Sequence, residues 1–145
     1  MADRVSKAVL LLVALAGWTV TARADTPSLS AIEAHNLAKR GRLLLIDVRS
    51  PVEWRRTGVP AGAVTVDKDL PLDQMIVTID RLTRNNKNRR LGIICSVGVK
   101  SAEVRANLEV AGYRRVIDIS DGVDGNAKGH GWISSGLPVK VWREK

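Results

Sequence analysis

Cys95 closes the apolar run at residues 91–94 and is followed by Ser96, Val97, Gly98, Val99, Lys100 and Ser101. It is the chain's only cysteine. A cysteine becomes a nucleophile where its surroundings favour the thiolate, and this stretch has the parts for that. A strand–loop–helix unit turns successive backbone N–H groups into its concavity, and the helix N-terminus adds a partial positive charge. Gly98, with no Cβ, allows a tight curl. Lys100 brings a cation to the rim. The pattern starts the next helix at about Ser101, which is expected to cap it and to donate a hydrogen bond. Basic charge around such a site would concentrate anionic reactants.

Rival chemistries for the same loop fit less well. A phosphate-binding P-loop needs G-x-x-x-x-G-K-[ST]; here five residues separate Gly92 from Gly98, and Val99 intervenes before Lys100. A cysteine phosphatase loop, C-x-x-x-x-x-R, holds its tetrahedral anion with an arginine fork. Here the cation follows after four residues and is a lysine, a point charge without that planar fork. The shorter curl suits a smaller group, such as one extra sulfur on the cysteine. His35 and His130 have no suitably spaced companions, so no metal is expected.

The elements that must position the thiol follow from apolar spacing and punctuation. Ser30 and Glu33 form a capping box for a helix that stops near Gly41, and Ser50, Pro51 and Glu53 start a second that ends near Gly58. Continuous apolar runs at 43–48 and 91–94 read as strands covered on both faces, with a shorter strand at 63–66 and the last strand of the chain at 116–119. Helical spacing covers 72–82 and 101–111, and a short helix is expected around Trp132. The sum is one α/β domain, a mostly parallel central sheet with helices on both faces. Phe is absent, so the core falls to Val, Ile, Leu and Ala, with Trp54, Trp132 and Trp142 packing in the core and at its edge. Parallel sheets bind ligands beyond the carboxyl ends of their strands. Cys95 stands at such an end, which argues against an inert core thiol.

The N-terminus has another task. Arg4 and Lys7 precede an almost wholly apolar stretch at 8–18, and Ala22-Arg23-Ala24 has the small residues of a cleavage site. Residues 1–24 therefore read as a secretory signal peptide and 25–145 as the mature domain, periplasmic or secreted. The apolar stretch is shorter than the ~20 residues a bilayer span needs, so no stable membrane insertion is expected after cleavage, with an uncleaved N-terminal anchor as the alternative. Cleavage removes Asp3, Arg4, Lys7 and Arg23, lowering the net charge from +8 to +6. In an oxidising compartment one cysteine has no partner for an internal disulfide, and a lone thiol there points to reactivity or intermolecular pairing. The basic run RLTRNNKNRR (residues 81–90) has no interleaved aromatics and reads as a solvated turn; no nucleic-acid partner is expected. GNAKGHG (residues 125–131) reads as a flexible loop that could edge the site.

From Leu29 to Trp142 the chain resembles the single-domain rhodaneses, thiosulfate-type sulfurtransferases. The resemblance is carried by LLLIDVRSPVEW (43–54), TGVPAGA (57–63), CSVGVKS (95–101), AGYRRVIDISDGVDG (111–125) and GWISSGLPV (131–139), in that order. It implies a rhodanese-like fold in which Cys95 carries a persulfide cradled by the amides from Ser96 to Lys100. It also implies mainly structural roles for Asp47, Arg49 and Glu53. The implied partners are a small anionic sulfur donor and a cyanide or thiol acceptor, a protein thiol included, with no cofactor or metal. Two departures stand out: Lys100 where the family often has arginine, which bears on donor preference, and GVPAGA where it often has G-H-I-P-G-A. A module of the same fold that binds sulfane sulfur or a partner protein without turnover is the alternative. The intact Cys95, Gly98 and Lys100 favour the enzyme. An oxyanion reductase on this fold would want a resolving thiol, which the chain lacks.

Overall fold

Leu91, Gly92, Ile93 and Ile94 are all buried, as a strand covered on both faces requires. The structure, a computed structural model, describes residues 27–144; residues 1–24, read above as a signal peptide, lie outside the described residues. This strand, β5 (Leu91–Ile94), lies in the middle of a five-stranded sheet. The order is β1 (Ser28–Leu29), β6 (Val116–Ile119), β5, β2 (Leu44–Asp47) and β4 (Val64–Thr65). Every neighbouring pair is parallel, with Ile46 opposite Ile93 and Ile93 opposite Asp118.

Alternate residues of the strands feed two cores. Leu45, Ile94, Ile117 and Ile119 pack on one face with Ala31 and Ala34 of α1 (Ala31–Lys39), Trp54 of α2 (Pro51–Thr57) and Trp132 of α5 (Gly131–Ser134). Ile46, Leu91, Ile93 and Val116 pack on the other with Met75 and Ile79 of α3 (Leu72–Thr83) and Val104 and Leu108 of α4 (Val99–Val110). Helices on both faces of a parallel sheet are the α/β arrangement expected from the sequence. Trp54 and Trp132 are buried, and Trp142 packs at the edge with its ring 5.3 Å from that of Trp54.

Both capping boxes form. Ser30 and Ser50 each accept from the N–H three residues on, while Glu33 and Glu53 reach back to the cap. Two expectations need correction. Helix α4 starts at Val99, and Ser101 lies inside its first turn instead of capping it. Gly98 takes the cap position in a left-handed conformation, φ 82°, and supplies no side-chain signal to read. Val116–Ile119 is also not the last strand. β7 (Val139–Lys140) follows and pairs antiparallel with β3 (Val59–Pro60) in a separate ribbon. With two residues each, β1, β3 and β7 are too short for any alternation to register.

Candidate active site

Cys95 leaves the carboxyl end of β5 with only 4% of its surface exposed. Its sulfur meets two N–H donors and one hydroxyl. The Gly98 N–H reaches Sγ at 3.2 Å, the Ser101 N–H at 3.3 Å, and the Ser101 hydroxyl lies 3.3 Å away. The thiol donates to that hydroxyl when protonated, and the hydroxyl can donate back to a thiolate. Of the four N–H groups that open α4 without an intrahelical carbonyl, those of Gly98 and Ser101 are thus committed to the sulfur. Those of Val99 and Lys100 open the same turn. Of the cradle expected from Ser96 to Lys100, the Gly98 amide alone reaches the sulfur, and the second amide on it, that of Ser101, lies one residue past that range.

The curl is held from behind by the segment after β6. A Cβ on Gly98 would meet the Ser120 carbonyl oxygen at 2.3 Å, so the backbones lie too close for any side chain. Val123 and Asp124 donate their N–H groups to the carbonyls of Cys95 and Ser96, both at 2.9 Å. The Asn126 amide donates to the carbonyls of Val97 at 2.7 Å and Ser120 at 2.8 Å. Asn126 belongs to the segment read from sequence as a flexible loop. It is instead the stitch that fixes the thiol loop, and no local sequence signal marked it.

The other flank is held by Glu53. One carboxylate oxygen accepts from the Ser96 hydroxyl; the other accepts from the Ser50 N–H at 3.0 Å, the Ser50 hydroxyl at 2.8 Å and Lys68 Nζ at 2.8 Å. Burial pushes the Glu53 carboxyl up, but the bonds from Lys68, Ser96 and Ser50 together hold it down at about 2. It is ionised at any working pH. Lys68 is held protonated in turn, chiefly by its bond to Glu53, with smaller help from the charges of Asp69 and Cys95. Sequence reasoning missed Lys68, a lysine in a turn with nothing local to distinguish it.

Asp47 and Arg49 form a buried pair, Oδ2 to Nη2 at 2.7 Å, and Arg49 also donates to Thr57 Oγ1 and the Gly58 carbonyl. Burial raises the Asp47 carboxyl against the opposing pull of Arg49. The pair ties the end of β2 to the end of α2.

A cavity of about 230 Å³ opens over the sulfur, with Lys68, Val97, Val99, Lys100 and Glu103 in its walls. Val97 and Val99 are exposed, so the rim is partly apolar. Its cations are not free. Lys100 Nζ lies 3.0 Å from Glu103 Oε1, as Lys68 lies against Glu53. These two carboxylates offset part of the basic charge at the mouth. Among the described residues no cluster of His, Cys, Asp and Glu is placed to hold a metal.

A family model described as "Rhodanese-like domain" matches residues 30–128. The chain belongs to the rhodanese-like family. A protein of Allochromatium vinosum named "Sulfurtransferase" is 30% identical over 115 residues, covering 79% of this chain and 91% of that one. An uncharacterized protein of Rickettsia prowazekii is 27% identical over 77% of this chain and 94% of its own. Among solved structures, a rhodanese-like domain protein from Staphylococcus aureus has a TM-score of 0.54 at 27% identity, covering 79% and 99%. The M. tuberculosis protein Rv0390 has a TM-score of 0.63 at 25% identity, covering 81% and 98%. The rhodanese-like fold and a sulfurtransferase-family role therefore rest on family, relatives and structure together.

Proposed function

We propose that the protein transfers sulfane sulfur through a persulfide on Cys95. The observation that carries this reading is the pair of N–H groups, of Gly98 and Ser101, on a sulfur that faces a cavity of about 230 Å³. In the first half-reaction the Cys95 thiolate attacks the outer sulfur of thiosulfate or a similar donor. An S–S bond forms to Cys95, the donor's own S–S bond breaks, and sulfite leaves with the electron pair. In the second, cyanide or a thiolate attacks the outer sulfur and Cys95 departs as thiolate. No net oxidation occurs, and no step asks for a metal or organic cofactor.

The Val99 and Lys100 amides are suited to the outer sulfur as it takes up negative charge in each transfer. The burial of Cys95 favours reaction at that outer atom over attack on Sγ itself. The reading is of an exported enzyme, periplasmic or secreted, acting on small sulfur compounds and on thiols, those of proteins included.

Initial rates test the scheme. With thiosulfate and cyanide varied together, the protein gives parallel double-reciprocal lines, the mark of a covalent intermediate. Converging lines, or thiocyanate formation that persists in Cys95→Ser, would contradict it.

A further inference from the structure

The carboxyl ends of β2, β5 and β6 surround the thiol. Their amino ends carry a second chemistry. The end of α1 and the turn into β2 hold Lys39, Arg40 and Arg42. The turn from α3 to β5 holds Arg84, Arg89 and Arg90, and the turn from α4 to β6 holds Arg114 and Arg115. All are exposed except the half-buried Arg90, and none is in an ion pair among the described residues.

The fold merges the three segments into one surface. The Arg114 N–H donates to the Lys87 carbonyl at 3.0 Å, the Leu91 N–H to that of Arg115 at 2.9 Å, and the Leu44 N–H to that of Arg90 at 3.0 Å. Residues 34–46, 81–102 and 110–117 contain no Asp or Glu. The acid nearest in sequence to the arginine-rich turn, Asp80, is taken by Lys87 and by the Tyr113 hydroxyl, both at 2.6 Å. The cations of this face equal the whole chain's net charge of +8, so the rest of the molecule sums to neutral.

Helix ends explain only part of it. A cation in or beside the last turn steadies a helix C-terminus, which accounts for Lys39, Arg40 and Arg84. Arg42, Arg89, Arg90, Arg114 and Arg115 lie beyond that reach. Gathered without acids they repel one another, a cost that an anionic partner would relieve. The run at 81–90, read alone as a solvated turn, is one third of a larger surface.

Chain direction indicates the partner. β1 runs parallel to β6 with Ser28 opposite Asp118, so the chain enters the domain from the arginine end of the sheet. The segment attached there carries the apolar stretch 8–18 behind Arg4 and Lys7. The three basic segments expose no aromatic ring on which a nucleic-acid base could stack, Tyr113 being buried. We infer that this face docks on an anionic phospholipid bilayer, with Cys95 at the far end of the sheet turned to the aqueous side. Guanidinium groups meet lipid phosphates in the bidentate geometry that suits them.

Sedimentation of the purified full chain with vesicles tests this. One set is phosphatidylcholine alone, and the other contains about a third phosphatidylglycerol, enough to give the negative surface that attracts basic residues. The apolar stretch at 8–18 with Arg4 and Lys7 is common to the wild type and the variants, so the loss on substitution reports the arginine face. Each arginine at an anionic surface contributes about fivefold in affinity. Arg84→Gln, Arg89→Gln, Arg114→Gln and Arg115→Gln combined should therefore lower binding to the anionic set by on the order of 600-fold. Melting temperature should change little, because the side chains are exposed and the support lost at the end of α3 is offset by relieved repulsion. Should that variant fold poorly, Arg42→Gln with Arg89→Gln is expected to lose about 25-fold. Equal binding of the wild type to both sets overturns the inference, as do arginine variants that keep wild-type binding. Tighter binding to a short DNA duplex than to anionic vesicles also overturns it, assigning the face to nucleic acid.

Discussion

Glu53 in the first turn of α2 accepts from the hydroxyl of Ser96, the residue that follows Cys95. The same carboxylate caps its own helix and pairs with Lys68, so one acid joins helix start, thiol loop and rim cation. Glu53→Gln removes the charge and leaves Lys68 unpaired. The variant is expected to lose about 1–3 kcal/mol of stability by denaturant unfolding and about tenfold in sulfur-transfer rate.

Acid dependence follows from the same carboxylate. Its folded value of about 2 lies below the ordinary 4.5, so ionised Glu53 stabilises the fold fully above about 4.5. That stabilisation is lost as pH falls toward 2. Urea unfolding of wild type and Glu53→Gln should show a constant stability gap from neutrality to about pH 5, closing below it. A gap that widens on acidification would contradict the assignment.

Gly98→Ala places a methyl where the Ser120 carbonyl already lies 2.3 Å away, at a φ of 82° that L-residues rarely adopt. Either the thiol loop or the segment after β6 must move. Sulfur transfer should fall more than about tenfold, with about 1–3 kcal/mol lost in unfolding, the cost of a strained backbone position.

Ser101→Ala keeps the N–H on the sulfur and removes only the buried hydroxyl. Alkylation of Cys95 by iodoacetamide at neutral pH should slow by about tenfold, the loss expected when one donor to a developing or resident anion is removed. An unchanged alkylation rate would show that the hydroxyl does not support the thiolate.

The rim pair of Lys100 and Glu103 bears on donor preference. Glu103→Gln frees the lysine to face a dianionic donor. At water-like screening one unopposed charge at about 4 Å is worth about 1 kcal/mol. The ratio of kcat/KM for thiosulfate to that for an uncharged organic persulfide should therefore rise about fivefold. Lys100→Ala should lower the same ratio.

Much of this was legible before any coordinates. The buried runs at 43–48 and 91–94, the two capping boxes and the lone cysteine at a strand's carboxyl end gave the α/β sheet and the location of the thiol. The rest depended on distance in sequence. Lys68 and Asn126 look like ordinary turn residues, because the groups they serve, Glu53 and the Val97 carbonyl, lie 15 and 29 residues away. The start of α4 was misplaced because glycine caps by backbone conformation alone. The pairing of Lys100 with Glu103 has ordinary helical spacing, but only the fold shows that it faces the thiol.

The central claim is that Cys95 carries the transferred sulfur. Intact mass of the protein after mixing with thiosulfate, beside Cys95→Ser, tests it most directly. The wild type is expected to gain one sulfur atom, which cyanide then removes as thiocyanate, while the variant gains none. A sulfur gained equally by Cys95→Ser, or none gained by a wild type whose reduced thiol still reacts with iodoacetamide, would contradict a Cys95 persulfide formed from thiosulfate.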